Sequence, residues 1–461
     1  MNFYSISFVI FFVLFSVIIN YSPSIKIQRN IFLIANIVFY GFWDYRFLLL
    51  LSIVVLIGYF SGIQYNKCHN KIWIDGTVII YILILGVFKY FNFFSESFSR
   101  IFGVKDYVTL NLILPLGISF YLFQAMSYLF DIKYGKIEVE RDFIKLATYI
   151  SFFPQITAGP IVKSKDFLPQ LEQLHRIKKD NLYVGIQLIV LGITKKIVFA
   201  DRIGIAVDAV YTSPVSYNGI SVLLAVIGYS LQIYCDFSGY SNIAIGIARI
   251  WDFDLGANFN APYIAKNPSD FWRRWHISLS TWFRDYVYIP LGGSRKGTFK
   301  TYFNLFITMV LSGIWHGANS TFIVWGIVHG FASALNRGFN DYLKRNDIKV
   351  NIPSGISILI NYIFVSLAWV IFRAESFNHA LTIYKCIFNT SGLLYVNVYV
   401  LVFIIIYIFI NLLSLIKNSG NIIDVNLNLD SLKNKFIISV WIWLIVVFMY
   451  CGNSAFIYAQ F

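Results

Sequence analysis

Apolar runs long enough, or nearly so, to cross a hydrocarbon layer recur from one end of this chain to the other. They occupy residues 3–19, 47–63, 77–90, 184–200, 219–233, 303–315, 356–371, 396–416 and 436–449. A helix needs about 20 residues to cross a core of about 30 Å. Backbone groups in lipid find no water to bond, so helices and closed barrels are the structures that can span it. The runs lack the period-two alternation of a barrel strand. They predict an all-α polytopic membrane protein with roughly 10 to 13 transmembrane and re-entrant helices. The whole of residues 1–461 reads as one domain. Composition agrees, with 58% of residues hydrophobic and 13% charged, against roughly 25% charged in a soluble domain.

The formal net charge of +14 comes from cations in short loops between oily spans. That placement argues against nucleic acid and fits the excess of Lys and Arg in cytoplasmic loops. Lys26 and Arg29 follow the first span, the turn near Asp44 and Arg46 is almost neutral, and Lys67, His69 and Lys71 come next. This alternation predicts a periplasmic N-terminus and a multi-pass protein of the cytoplasmic (inner) membrane, in contact with membrane lipids. Residues 3–19 have no preceding cation and no following cleavage signal, so they are expected to be a retained span. Cys68, Cys235, Cys386 and Cys451 stand too far apart for a disulfide framework. Without HExxH or ligands at zinc spacing, no metal is expected.

One segment breaks the oily pattern. Pro268-Ser-Asp-Phe-Trp-Arg-Arg-Trp-His276 continues through Trp282, Arg284 and Asp285 into a Gly292-Gly-Ser-Arg-Lys-Gly297 loop. Ser269 or Asp270 can cap a helix behind Pro268. Phe271, Trp272, Trp275, Leu279, Trp282, Phe283 and Tyr286 recur at helical spacing on one face. Arg273, His276, Ser280 and Arg284 stack on another. The expectation is one amphipathic helix within a catalytic region at residues 252–330. As an interfacial helix, its arginines would meet lipid phosphates. As an anion site, Arg forks would grip phosphate and the glycine loop would add a nest of backbone N–H groups.

His316 lies in an apolar run, followed by Gly317, Ala318 and Asn319. An imidazole there can serve as general base or bond a carbonyl on a neighbouring helix. His329 would share its site only if the helix breaks near residues 317–320, and helix packing is its expected role. Asp236, between apolar runs, needs a partner, and Arg249 or a central arginine is the candidate. The aromatic, apolar end of the chain makes Tyr458 a conceivable acyl acceptor.

These blocks together resemble the membrane-bound O-acyltransferase family, in the bacterial branch of alginate O-acetylases and peptidoglycan O-acetyltransferases. The matching stretches are residues 116–128, 152–161, 234–246, 267–293, 312–319, 325–330 and 456–461. The resemblance implies a ring of tilted helices around a central tunnel. It implies that His316 is the family's invariant histidine and His276 its second, cytoplasm-side histidine. The donor would be acetyl-CoA, used as a substrate rather than bound permanently. Arg273, Arg274, Arg284 and Arg295 would hold its phosphates, with Trp275 beside them and Asn319 as oxyanion donor. By likeness to teichoic-acid D-alanylation, Tyr458 would take the acyl group on the outer face. A periplasmic SGNH-type transferase would pass it to a polysaccharide, peptidoglycan before alginate. Asn242 and Cys235 stand where this branch often carries Asp and Phe. Composition alone also permits a glycan transporter or flippase, and the family also contains enzymes with lipid or protein acceptors.

Overall fold

The computed structural model describes residues 3–103, 107–157, 159–416 and 429–449. Tyr458 and Cys451 lie outside the described residues. Among the described residues the regular structure is helical, apart from one isolated bridge between Tyr217 and Leu393. Among the described residues, five helical stretches are long and apolar enough to cross a membrane: Arg46–Cys68, Ile72–Phe102, Lys179–Thr212, Gly219–Ile250 and Ser354–Arg373. Ile6–Tyr21 and Val398–Phe409 are shorter apolar helices. This is an all-α, multi-pass membrane protein. The chain divides into two compact units.

The first unit comprises Met1–Val190, Ser241–Gly256 and Asn426–Lys435. It contains α1 (Ile6–Tyr21), α2 (Ile25–Asp44), α3 (Arg46–Cys68), α4 (Ile72–Leu85), α5 (Phe91–Phe102), α6 (Ile118–Lys133), α7 (Phe143–Ser151), the short α8 (Phe153–Ile156) and α9 (Ser164–Phe167), and most of α10 (Lys179–Ile193). Ser5, Ser24 and Asp142 cap α1, α2 and α7 by accepting a backbone N–H with their side chains. Helix α6 is almost wholly buried, polar residues included. The Gln124 amide donates to Gln155 Oε1 at 2.5 Å, and Ser127 pairs with the Tyr149 hydroxyl at 2.9 Å. Asp131 accepts from the Ser164 hydroxyl at 2.9 Å. Buried polar groups are tolerated when partnered in this way.

A loop after α9 is clamped to α2 by a reciprocal pair. The Gln28 amide donates to His175 O at 2.7 Å, and the His175 N–H donates to Gln28 Oε1 at 2.8 Å. The His175 ring stacks on Phe253 at 3.9 Å, and its Nε2 donates to Gln170 O at 2.8 Å. Burial holds this imidazole below its ordinary value of 6.5.

The second unit comprises Leu191–Tyr240, Ala257–Val425 and Phe436–Phe461. It contains α11 (Asp201–Thr212), most of α12 (Gly219–Ile250), α13 (Pro268–Arg274), α14 (Ile277–Phe283), α15 (Thr298–His316), α16 (Ser320–Arg345), α17 (Ser354–Arg373), α18 (Phe377–Cys386), α19 (Val398–Ile416) and most of α20 (Leu432–Phe448). The partner of Asp236 on α12 is Lys196, at 2.6 Å, and not the expected arginine. Lys196 sits in a π-helical turn, Thr194–Ala200, and also meets Asp201 at 2.9 Å. Sequence distance hid this pair, because the π turn re-aims a lysine that an α-helix would point elsewhere.

Helices α15 and α16 form a hairpin whose backbones touch. A Cβ on Gly326 would stand 2.7 Å from Met309 O, one on Gly330 would stand 2.9 Å from Phe306 O, and one on Gly313 would run into Phe322 O. Small residues allow this approach, as they do wherever helices pack in lipid. The helix does break after His316, at Gly317, where the backbone is extended. The Asn319 side chain then caps α16 by accepting from Thr321 N at 3.1 Å.

Replacing Gly326 with valine should force the hairpin apart and lower stability by about 1–3 kcal/mol, the usual cost of overpacking. Thermal melts of the detergent-solubilised protein check this. The unfolded chain binds a proton that folded His175 resists. Its contribution is therefore intact above about pH 6.5 and is lost as the pH falls below that value. His175→Phe should melt with a smaller loss than wild type between about pH 7 and pH 5.

Candidate active site

The expected single amphipathic helix is two short ones. Asn267 caps α13 by accepting from Asp270 N at 2.9 Å. The helix stops at Arg274, Trp275 is extended, and His276 adopts a left-handed conformation with φ 43 before α14 begins. The cause lies upstream. The Asn260 N–H donates to Arg274 O at 2.9 Å, and the Ile277 N–H donates to Asn258 O at 2.9 Å, so an adjoining loop takes over the backbone at the break. Histidine tolerates the left-handed region better than most residues, and such conformations cluster at functional sites.

One oxygen organises the break. Asn258 Oδ1 accepts from Ser278 N at 3.3 Å, from the Ser278 hydroxyl at 2.9 Å and from His276 Nδ1 at 3.1 Å. The backbone N–H fixes which way the amide faces, so Nδ1 must be the protonated ring nitrogen. The lone pair of His276 is therefore on Nε2. The ring is almost fully buried and meets Phe237 edge-on at 4.6 Å.

His316 ends α15 and is also buried. Its ring lies 5.0 Å from Trp315, 5.2 Å from Trp325 and 5.2 Å from Phe372. Trp315 is also 6.3 Å from the His276 ring. Both histidines thus pack near one indole. His329 joins the same group, because Trp325 lies 4.8 Å from its ring. The broken hairpin brings His316 and His329 to one tryptophan, Trp325.

The arginines do not share a stripe. Arg273 lines a cleft of about 590 Å³ with Ser269, Asn336, Arg337, Asn340 and Lys344. Arg274 is held by Asp270 at 2.9 Å and by Asn260 O. Arg284 pairs with Asp285 at 2.7 Å. Arg295 sits exposed in the glycine loop. There the N–H groups of Gly292, Gly293 and Arg295 already donate to Ile289 O, Tyr288 O and Gly292 O, which leaves them unavailable as an anion nest. Trp275 packs in the core against Trp369 at 4.9 Å and Phe259 at 5.1 Å. Asn319 spends its amide N–H on Glu375 O, at 3.0 Å. Asn258 and the residues at the end of α16 escaped the sequence reading. A signal existed for the latter in polar residues at near-helical spacing from His329 onward.

Buried imidazoles beside a broken helix are suited to proton transfer on a substrate carbonyl. The comparison with known proteins gives the same direction. Residues 125–377 match the profile of the membrane-bound O-acyltransferase family. The chain belongs to that family. A probable alginate O-acetylase of Pseudomonas aeruginosa is 37% identical over 373 residues, covering 79% of this chain and 70% of the relative. The peptidoglycan O-acetyltransferase of Helicobacter pylori is 34% identical over 390 residues, covering 78% and 73%. The teichoic acid D-alanyltransferase of Bacillus subtilis is 30% identical, covering 71% and 84%. The protein is therefore an acyltransferase, and the flippase reading falls away.

Asn258→Leu removes one acceptor from three donors at once. Each stranded donor costs about 1–3 kcal/mol, so the variant should melt lower than wild type and lose acyl transfer. Asn258→Asp, which keeps the acceptor, should retain more of both. Melting curves and turnover on the same preparations check the contrast.

Proposed function

We propose that this enzyme takes an acetyl group from cytoplasmic acetyl-CoA and passes it across the inner membrane to a periplasmic SGNH-type partner. The partner O-acetylates a cell-envelope polysaccharide, peptidoglycan in the first instance. Alginate is the second reading, and the 37% identity to the alginate relative favours it. The observation that carries the proposal is the pair of buried imidazoles that both pack near Trp315.

His316 acts as the general base. It takes the proton of an incoming hydroxyl, whose oxygen attacks the thioester carbon. A tetrahedral oxyanion forms and then collapses, the carbon–sulfur bond breaks, and the imidazolium returns its proton to the leaving thiolate. Tyr458 is the candidate hydroxyl on the outer face. His276, with Nε2 as its basic nitrogen, stands on the donor side. Arg273 contributes charge for the donor's phosphates. Arg337, Lys344, Arg345 and Lys349 crowd the end of α16, as expected of a cytoplasmic loop. Holding both substrates in one dry site offsets the entropy of bringing them together.

Purified protein supplied with radiolabelled acetyl-CoA should release CoA. His316→Ala should lower that rate by about 10²–10⁴-fold, the usual worth of a general base, with an unchanged melting temperature. Arg273→Ala should raise KM without lowering kcat, as lost ground-state binding does. Full activity in His316→Ala would sink the proposal.

A further inference from the structure

Acyl transfer needs a hydrogen-bond donor for the carbonyl oxygen, which gains charge as the tetrahedral intermediate forms. Asn319, the residue expected to supply it, is engaged elsewhere. Its amide donates from Nδ2 to Glu375 O at 3.0 Å and accepts at Oδ1 from Thr321 N at 3.1 Å. It caps α16 and ties the turn after His316 to the segment that follows α17.

The returning helix holds unspent capacity. Thr321, Trp325 and His329 lie four residues apart on α16, and so within about 80° of one another around its axis. All three are fully buried. Among the described residues, the Thr321 hydroxyl, the Trp325 indole N–H and both ring nitrogens of His329 have no hydrogen-bond partner. Native interiors leave few polar atoms in that state. The three side chains are not equivalent. A hydroxyl rotates to suit whatever acceptor is near, and a neutral imidazole offers one donor and one acceptor. An indole is a donor only, and its N–H is fixed in the plane of the ring.

Position favours the indole as well. The Trp325 ring lies 5.2 Å from the His316 ring, with the two planes at 87°. A reacting carbonyl has to sit roughly 3 Å from both the activated nucleophile and its oxyanion donor, and two rings this close can share one. Trp369 stacks on Trp325 at 5.7 Å, and Phe372 lies 5.3 Å away. These rings keep water out, and a fixed donor in a dry place stabilises developing charge far more than one in water.

We infer that the Trp325 N–H donates to the thioester oxygen during transfer, which makes Trp325 a catalytic residue beside His316. This rests on the base reading above. No bond of the indole is made or broken. As the new carbon–oxygen bond forms, the carbonyl electron pair moves onto the oxygen and strengthens its hydrogen bond to the indole. When the carbon–sulfur bond breaks, the pair returns.

Placing benzothienylalanine at position 325 of the full-length protein tests this. That side chain keeps the two-ring shape of tryptophan and exchanges the N–H for sulfur. With acetyl-CoA as substrate, CoA release should slow about 10²–10³-fold, the usual worth of one oxyanion donor. KM and the melting temperature should not change, because the bond matters only in the transition state. The same replacement at position 369 should do the reverse. The Trp369 N–H donates to the Tyr263 hydroxyl at 3.1 Å, so melting should come earlier while the rate holds. Wild-type rate with the analogue at 325 overturns the inference. So does a slower rate that comes with a lower melting temperature, which lost packing would explain. In the first case an inactive His316→Ala in the same assay leaves the base reading standing, and a fully active one removes both.

Discussion

Backbone against backbone, α15 and α16 meet along glycines, and the site hangs on that contact. Gly313, Gly326 and Gly330 leave no room for a side chain between the helices. The chain reverses at Gly317 immediately after His316. The His316 imidazole therefore sits at the turn of a tightly packed hairpin, with Trp325 and His329 on the returning helix. In water such a turn would be a loop free to fray. In a membrane protein the same packing holds it, because separating the helices would expose groups that lipid cannot satisfy.

Burial sets a second condition, that polar groups inside must be partnered. The first unit pairs Gln124 with Gln155 and Ser127 with Tyr149. In the second unit Lys196 answers Asp236, and Asn258 gathers His276 and Ser278.

The all-α membrane fold was legible in the sequence because a helix in lipid must be a long apolar run. His276 and His316 drew attention in the sequence because an imidazole in an oily context is costly without a role, and the structure buries both. The break at His276 was not. The aromatic and cationic residues from Phe271 to Arg284 have helical spacing, and what interrupts them is an asparagine loop at Asn258 and Asn260. Periodicity is blind to a competitor from elsewhere in the chain. The stripe of Arg273, His276, Ser280 and Arg284 is interrupted by the same break, and Asp285 and Asp270 draw Arg284 and Arg274 aside. The partner of Asp236 was hidden by a π turn, which shifts the helical register that spacing arguments assume.

Trp315 packs near both imidazoles, at 6.3 Å from the His276 ring and 5.0 Å from the His316 ring. A shared wall couples its two tenants. Any shift of the indole is therefore felt at both histidines, since dense packing leaves little slack.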